Sequence, residues 1–296
     1  MPAAIVSPHA RFAGLFVLLA ACPQVSIVGT ASAKPVAVPE ILASYTDTHA
    51  SPIVVDGVTT DWTEQALAHS IEFFPGDGRG GAPESPGTTV VWKMDGKEDG
   101  HVRVTLTHDG DSIYLLAVIR DDHLEQRPAD KNTNPAFLED GLHVYFDSAN
   151  ARVDKAGDTP LRDQPGFEQF GVSTDYSCTG EGCDFTTDTG PEGWARPGAQ
   201  PDQKHWLVGI GIRGSGPYTY VFEERFPMRE VPGHNLKTML PGRSYGFNLE
   251  FVDSDRGNYL EGYMFWSSDG KSDAFIDLDL YGRLKLEALP PSHPKS

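Results

Sequence analysis

The sequence predicts an all-β chain, an antiparallel sandwich or barrel, on three observations. From about residue 90 onward, apolar and polar residues alternate with period 2 in one short run after another. Between the runs stand Gly, Pro, Asn and Asp, the residues that supply tight turns. Almost no long stretch repeats its apolar residues at the 3.6-residue helical period. Composition agrees, since 31 Gly and 23 Pro in 296 residues suit many turns while 39% hydrophobic residues can fill a core.

The chain begins with FAGLFVLLAAC, residues 12–22, an apolar run behind the single cation Arg11 with no acid before it. It is too short and too early for a membrane span and is expected to be an export signal. Two processing routes are compatible with it. Ala31-Ser32-Ala33 is a small-x-small site for an ordinary signal peptidase, whereas Leu19-Ala20-Ala21-Cys22 resembles the bacterial lipoprotein box, which would lipidate Cys22. Residues 1–33 are therefore expected to be a signal segment of secretory or lipoprotein type, and the protein extracytoplasmic: periplasmic, an outer-membrane lipoprotein or secreted. Any membrane attachment would run only through Cys22. Residues 34–50, KPVAVPEILASYTDTHA, look like a proline-marked linker. Residues 51–290 are expected to form a single domain, and 291–296 a tail.

Within that domain, IVVDG (53–57) is a short β-branched run stopped by an Asp-Gly turn. A short helical turn is expected from Thr60 onward, capped by Thr60 or Asp61, with Trp62, Ala66 and Leu67 on one face and Trp62 as a core plug. Residues 75–90, PGDGRGGAPESPGTTV, read as loop. Strands are expected at 90–94, 101–109, 113–121, 142–147, 167–176, 205–213, 218–226, 243–253, 259–266 and 283–289. KTMLPG, just before Arg243, suggests a further helical turn.

Cys178 and Cys183, in SCTGEGCD, are the cysteines left after the leader, and in an oxidising compartment they are expected to form a disulfide. No CxxC spacing or further ligand favours a redox or metal pair. The net charge of −18 argues against nucleic acid and against anionic membrane surfaces.

The order of elements brings in a family resemblance. IVVDGVTTDWTEQA resembles the opening of carbohydrate-binding module family 9, an apolar strand, Asp-Gly, then an acid and Trp. HDGDSIYLLAVIRDDHL, NPAFLEDGLHVYFDSAN and RSYGFNLEFVDSD resemble later segments in the same order, and Trp266-Ser267 with Tyr281-Gly282 resemble its close. The resemblance spans residues 53–289. It implies an antiparallel jelly-roll-like β-sandwich of the DOMON-like group, with one or two short helical turns and often with structural calcium. It also implies an oligo- or polysaccharide partner in carbohydrate catabolism, in a family often associated with glycoside hydrolases.

In that family the sugar is clamped between two Trp side chains and held by a Glu, an Arg and an Asn. Aromatic faces stack on pyranose C–H groups while charged groups bind the hydroxyls. Carried over by position, the first clamp falls at Ala136 or Phe137, with Phe137 preferred because the turn holds one extra residue. The Glu falls on His143 and the Arg near Gly171, while Gln169 matches. The second clamp falls on Phe275 and the Asn on Ser272. The expected ligand-binding residues are thus Phe137, Phe275, His143, Gln169, Glu139 and Ser272. Aromatic character is kept at both clamps, but the charged partners are not.

Other chemistry is weakly signalled. Glu139 and Asp140 are adjacent at a strand entry and project to opposite sides, so they do not simply flank one scissile bond. Asp121, Asp122, Asp140 and Asp147 offer oxygen ligands for calcium, without the DxDxDG spacing. DOMON-like relatives include haem binders, but His108, His123, His143, Met94 and Met264 show no spacing that suggests an axial pair. Beside the binding module, two alternatives stay open: a glycan-active hydrolase or lyase on the same fold, and a surface-anchored partner-docking module whose sugar site has decayed.

Overall fold

The computed structural model describes residues 38–75, 94, 96–125, 140–150, 165–174, 194–195, 206–230, 235–255, 262–267 and 278–291. Its strands are β1 (Glu40–Tyr45), β2 (Ile71–Phe73), β3 (His101–His108), β4 (Ser112–Asp121), β5 (Gly141–Asp147) and β6 (Phe167–Ser173). They continue with β7 (Trp194–Ala195), β8 (Leu207–Gly214), β9 (Tyr218–Pro227), β10 (Ser244–Asp253), β11 (Gly262–Phe265) and β12 (Gly282–Leu286). One short helix, α1, spans Glu64–Leu67. The chain is all-β, as the alternating runs predict.

The strands join in one 12-stranded sheet in the order β7-β6-β5-β10-β12-β1-β3-β4-β9-β8, with β11 added to β10 and β2 to β3. β5 and β9 stand far apart in that order, yet the rings of Phe146 and Phe226 lie 5.1 Å apart, centroid to centroid. Phe170 of β6 meets Trp206, beside β8, at 4.9 Å. The sheet therefore curls until its two halves face each other, which makes it a sandwich. Val104, Leu115, Val144, Phe222 and Leu249 are fully buried between the halves. Each such side chain contributes about 1.5–3 kcal/mol of transfer free energy.

Several expectations need correction. The proposed linker contains β1, which sits inside the sheet and pairs in parallel with β12 on one side and β3 on the other. The sheet is consequently mixed rather than purely antiparallel. EILASY holds this place because Ile41 and Ala43 point into the core and every register partner lies in a neighbouring strand. Residues 36–296 belong to one unit, so the domain starts earlier than residue 51.

IVVDG forms no strand. Its backbone is drawn instead to a single carboxylate: Glu223 Oε2 accepts from the N–H groups of Asp56 (2.9 Å), Gly57 (2.7 Å) and Val58 (3.2 Å). Trp62 Nε1 donates to Oε1 of the same residue at 2.5 Å, which fixes the buried indole as the expected plug. Burial, opposed by these donors, leaves the Glu223 pKa at about 7. Gly57 adopts φ +78°, and a Cβ there would sit 2.3 Å from the Ile210 carbonyl carbon. The helix cap is Thr63, which accepts from the Ala66 N–H, rather than Thr60 or Asp61. Residues 235–240 are irregular, and KTMLPG is no helix: Met239 N–H donates to the Met228 carbonyl, bonding across the chain instead of along it.

Candidate functional site

Alternation along β5 sends Leu142, Val144 and Phe146 into the core and His143 and Tyr145 to the other face, as the sequence predicts. That second face is not open. Tyr145, Phe167, Tyr263, Phe265, Leu278 and Tyr281 form a second apolar cluster over it, and every residue of β5 is buried. His143, expected on an outward face in reach of a ligand, is only 3% exposed. The strand is covered on both sides, which period-2 alternation alone does not reveal.

A polar chain runs beneath that cover. Gln169 Nε2 donates to the Tyr145 hydroxyl at 2.9 Å, and that hydroxyl donates to Glu250 Oε2. His143 Nδ1 lies 3.0 Å from the same carboxylate oxygen. The register explains the meeting, since Tyr145 faces Gln169 across β5 and β6, and His143 faces Glu250 across β5 and β10. Donation from Nδ1 leaves Nε2 of a neutral ring as an acceptor. That atom is buried without a hydrogen-bond partner.

The structure also ties two of the altered positions together. Gly171 is the cross-strand partner of His143, and a Cβ on it would lie 2.6 Å from His143 Cδ2 and 2.9 Å from Nε2. The imidazole thus occupies the space that a side chain at 171 would need. Gly171 leaves no room for a guanidinium as long as His143 keeps this rotamer.

Of the expected ligand-binding residues, His143 and Gln169 are brought into this one network. Phe137, Glu139, Ser272 and Phe275 lie outside the described residues, as do Cys22, Cys178 and Cys183. The chain positions flanking them are firmly held. Asp140 is fully buried, with Oδ2 accepting from Glu125 N–H (2.7 Å) and Oδ1 from Ser254 N–H (2.9 Å). Tyr220 contacts Asp140 Oδ2 at 3.1 Å and also donates to the His123 carbonyl. Burial raises the Asp140 pKa, and the hydrogen bonds from Glu125, Ser254 and Tyr220 oppose the rise. On the other flank, Asn248 bonds both backbone groups of Ser267, its Oδ1 accepting at 3.0 Å and its Nδ2 donating at 2.9 Å. Tyr145, Asn248 and Glu250 were not singled out from the sequence. The register of Asn248 and Glu250 with β5, at a separation of 107 residues for Glu250 and His143, carries no local signature.

A second cluster lies at the Asp121 end of β4. Asp121, Asp253 and Asp255 each place a carboxylate oxygen within 4.8 Å of the others, and Asp99, Asp122 and Asp255 do the same. Both oxygens of Asp253 and Oδ2 of Asp121 are buried without a hydrogen bond. Without a cation, burial first, then repulsion from Asp121, Asp255, Asp140 and Asp99, pushes the Asp253 pKa up to about 11. Burial and Asp140 raise that of Asp121. The donor set is all carboxylate oxygen, the chemistry of a hard cation such as Ca²⁺, so the residues fit calcium.

Of the acids proposed from sequence, Asp121 and Asp122 join these groups, and Asp140 acts on Asp121 and Asp253 through its charge. Asp147 does not, because it lies at the other end of β5, about 23 Å along the strand. Asp99, Asp253 and Asp255 were missed. Asp253 ends β10 and Asp255 follows it, while Asp99 precedes β3, so only the fold brings Asp99 and the β10 pair to Asp121 and Asp122.

Two solved structures share this fold. One is a carbohydrate binding module family 9 (CBM9) from Caldicellulosiruptor kristjanssonii in complex with cellotriose, 14% identical over 87% of this chain and 98% of that one, with a TM-score of 0.55. The other is a carbohydrate binding module family 9 (CBM9) from the same organism in complex with glucose, 14% identical over 86% and 100% of the two chains, again with a TM-score of 0.55. No protein-family model matches the sequence, and no curated protein matches it. The likeness establishes the fold, the one implied by the motifs from IVVDGVTTDW to Tyr281-Gly282.

Proposed function

We propose that this protein is an exported, non-catalytic carbohydrate-binding protein. The observation that carries the proposal is the shared fold with modules solved holding glucose and cellotriose, over nearly the whole of both chains. Phe137 and Phe275 supply the stacking platforms and Glu139 and Ser272 the polar contacts. His143 and Gln169, buried with Tyr145 and Glu250, support the face on which the sugar lies. Asp140 and Ser267 hold the chain on either side of those platforms. A catalytic role for Asp140 finds no support, because both its oxygens are engaged in hydrogen bonds.

Calorimetric titration with cellotriose and glucose tests the proposal. Binding by the parent chain, weakened at least tenfold in both Phe137→Ala and Phe275→Ala, is the expected result; unchanged affinity in the two variants rejects the platforms. Export is inferred from FAGLFVLLAAC. The mass of the processed chain distinguishes cleavage after Ala33 from lipidation at Cys22, and Cys22→Ser releases the protein from membranes only in the second case.

The unpartnered oxygens of Asp121 and Asp253 favour a further component, a structural calcium ion held by Asp121, Asp253 and Asp255 with Asp99 and Asp122 beside them. Its part is electrostatic: it would neutralise the carboxylates where β4 and β10 end.

A further inference from the structure

At the opposite end of β4 lies a cleft of about 370 Å³, between the β3–β4 turn, the end of β9 and residues 238–241. A volume above about 300 Å³ is in the range of small-molecule sites and exceeds what a bare ion needs. Arg225 and Arg229 both line it. In a chain with 42 acidic and 24 basic residues, an arginine without a carboxylate is unexpected. Yet neither guanidinium has an ion-pair partner among the described residues, and Arg225 Nε is buried with no hydrogen bond.

Two of the nearby acids, Asp109 and Glu230, have partners of their own. Asp109 accepts four neutral donors, the N–H groups of Asp111 (2.9 Å) and Ser112 (2.8 Å) and the hydroxyls of Tyr114 (2.9 Å) and Thr48 (3.1 Å). Glu230, next to Arg229, lies 3.9 Å from Lys237. Asp111 lines the cleft as well, so the site is dominated by cations rather than purely cationic. Ser112 and Thr238 add hydroxyls to the wall, and its apolar part is Pro227, Pro241 and Leu240, which is 54% exposed, over the buried Met228 and Met239.

We infer that this cleft is a second ligand site, taking a small carboxylate with an apolar face, a uronate in the class of ligand proposed above. The guanidinium of Arg225 pairs with the carboxylate, Arg229 adds its field at the rim, and Leu240 with the prolines of the wall packs on the C–H face of the ring. The choice of a sugar acid rests on the proposed function; the carboxylate rests on this cleft alone.

Calorimetry on the full chain at low salt with glucuronate, glucose and acetate tests it, in parallel with cellotriose. Glucuronate is expected to bind at least tenfold more tightly than acetate, and saturating glucose is expected not to block it. Arg225→Gln should lose that tenfold and Arg229→Gln about threefold, with cellotriose affinity and circular dichroism unchanged. Glucuronate binding that saturating glucose abolishes, or equal binding in the parent and both variants, overturns the site. Acetate binding as tightly as glucuronate overturns the apolar half of the assignment. A chain that ignores cellotriose but binds glucuronate through Arg225 rejects the stacking site and leaves the cleft standing; because Arg229 is exposed, its variant keeps the test valid if Arg225→Gln misfolds.

Discussion

At the Asp121 end of β4 the chain gathers Asp99, Asp122, Asp140, Asp253 and Asp255 around a buried carboxylate. At the Ser112 end, about 30 Å along the same strand, the guanidiniums of Arg225 and Arg229 share a cleft with the single carboxylate of Asp111. The adjacent strand β9 runs antiparallel to β4 and reaches the same two neighbourhoods, with Tyr220 near Asp140 and Arg225 beside Tyr114. A net charge of −18 describes neither end. It is a sum over regions of different character, one built of carboxylates alone and the other with two guanidiniums beside Asp111. Ligand chemistry follows the local charge rather than the total.

The largest expected effect tests the acidic end. With a micromolar site, about 1 mM calcium should stabilise the parent protein by about 4 kcal/mol and raise its Tm by roughly 10 °C. Asp253→Asn should lose most of that response and, in chelator, should melt above the parent because one like charge has gone. A parent Tm indifferent to calcium would break the comparison at its first term.

Glu224 is the next test, because it is an acid buried between the two ends with no second carboxylate beside it. Burial pushes its pKa up to about 8, against a single donor, Trp206 Nε1 at 2.8 Å. A carboxyl whose folded pKa is raised contributes most below its unfolded value, and that stability is lost as pH rises from about 4.5 toward 8. Glu224→Gln should therefore gain on the parent by about 2 kcal/mol or more between pH 5 and pH 8 in urea denaturation, and calcium should not close the gap. A pH-independent difference would show that this carboxyl does not change its charge over that range.

Gly171→Ala probes the face away from both ends. The added methyl meets the His143 ring, so a cost of about 1–3 kcal/mol is expected, with no change in calcium response. Smallest of all should be Arg225→Gln, within about 0.5 kcal/mol in stability, since the guanidinium has no partner to lose. A larger loss would mean that Arg225 supports the fold, and the cationic end would then be structural.

Much of the fold was legible because β3, β4, β5, β9 and β10 alternate over seven or more residues with turn residues at their ends. β1 was not, because EILASY lies between proline-rich flanks and its pattern of burial has no clean period. β2 is only three residues long. The site was legible as positions and not as environments. His143 and Gln169 could be placed on strands, but their burial depends on Tyr263, Phe265 and Tyr281, which arrive from later segments. Asp253 and Asp255 stood within a recognised motif, RSYGFNLEFVDSD, yet their meeting with Asp121 is purely tertiary.

The place of β1 has a consequence for how the protein is made. Its edges are filled by β3 on one side and by β12 on the other, so this strand waits for one made much later in the chain. Until residues 282–286 have emerged, one row of its peptide groups has no partner, and the open row invites pairing with another chain. Chains truncated before Gly282 should aggregate rather than remain as shorter soluble forms, because β1 then keeps an open edge.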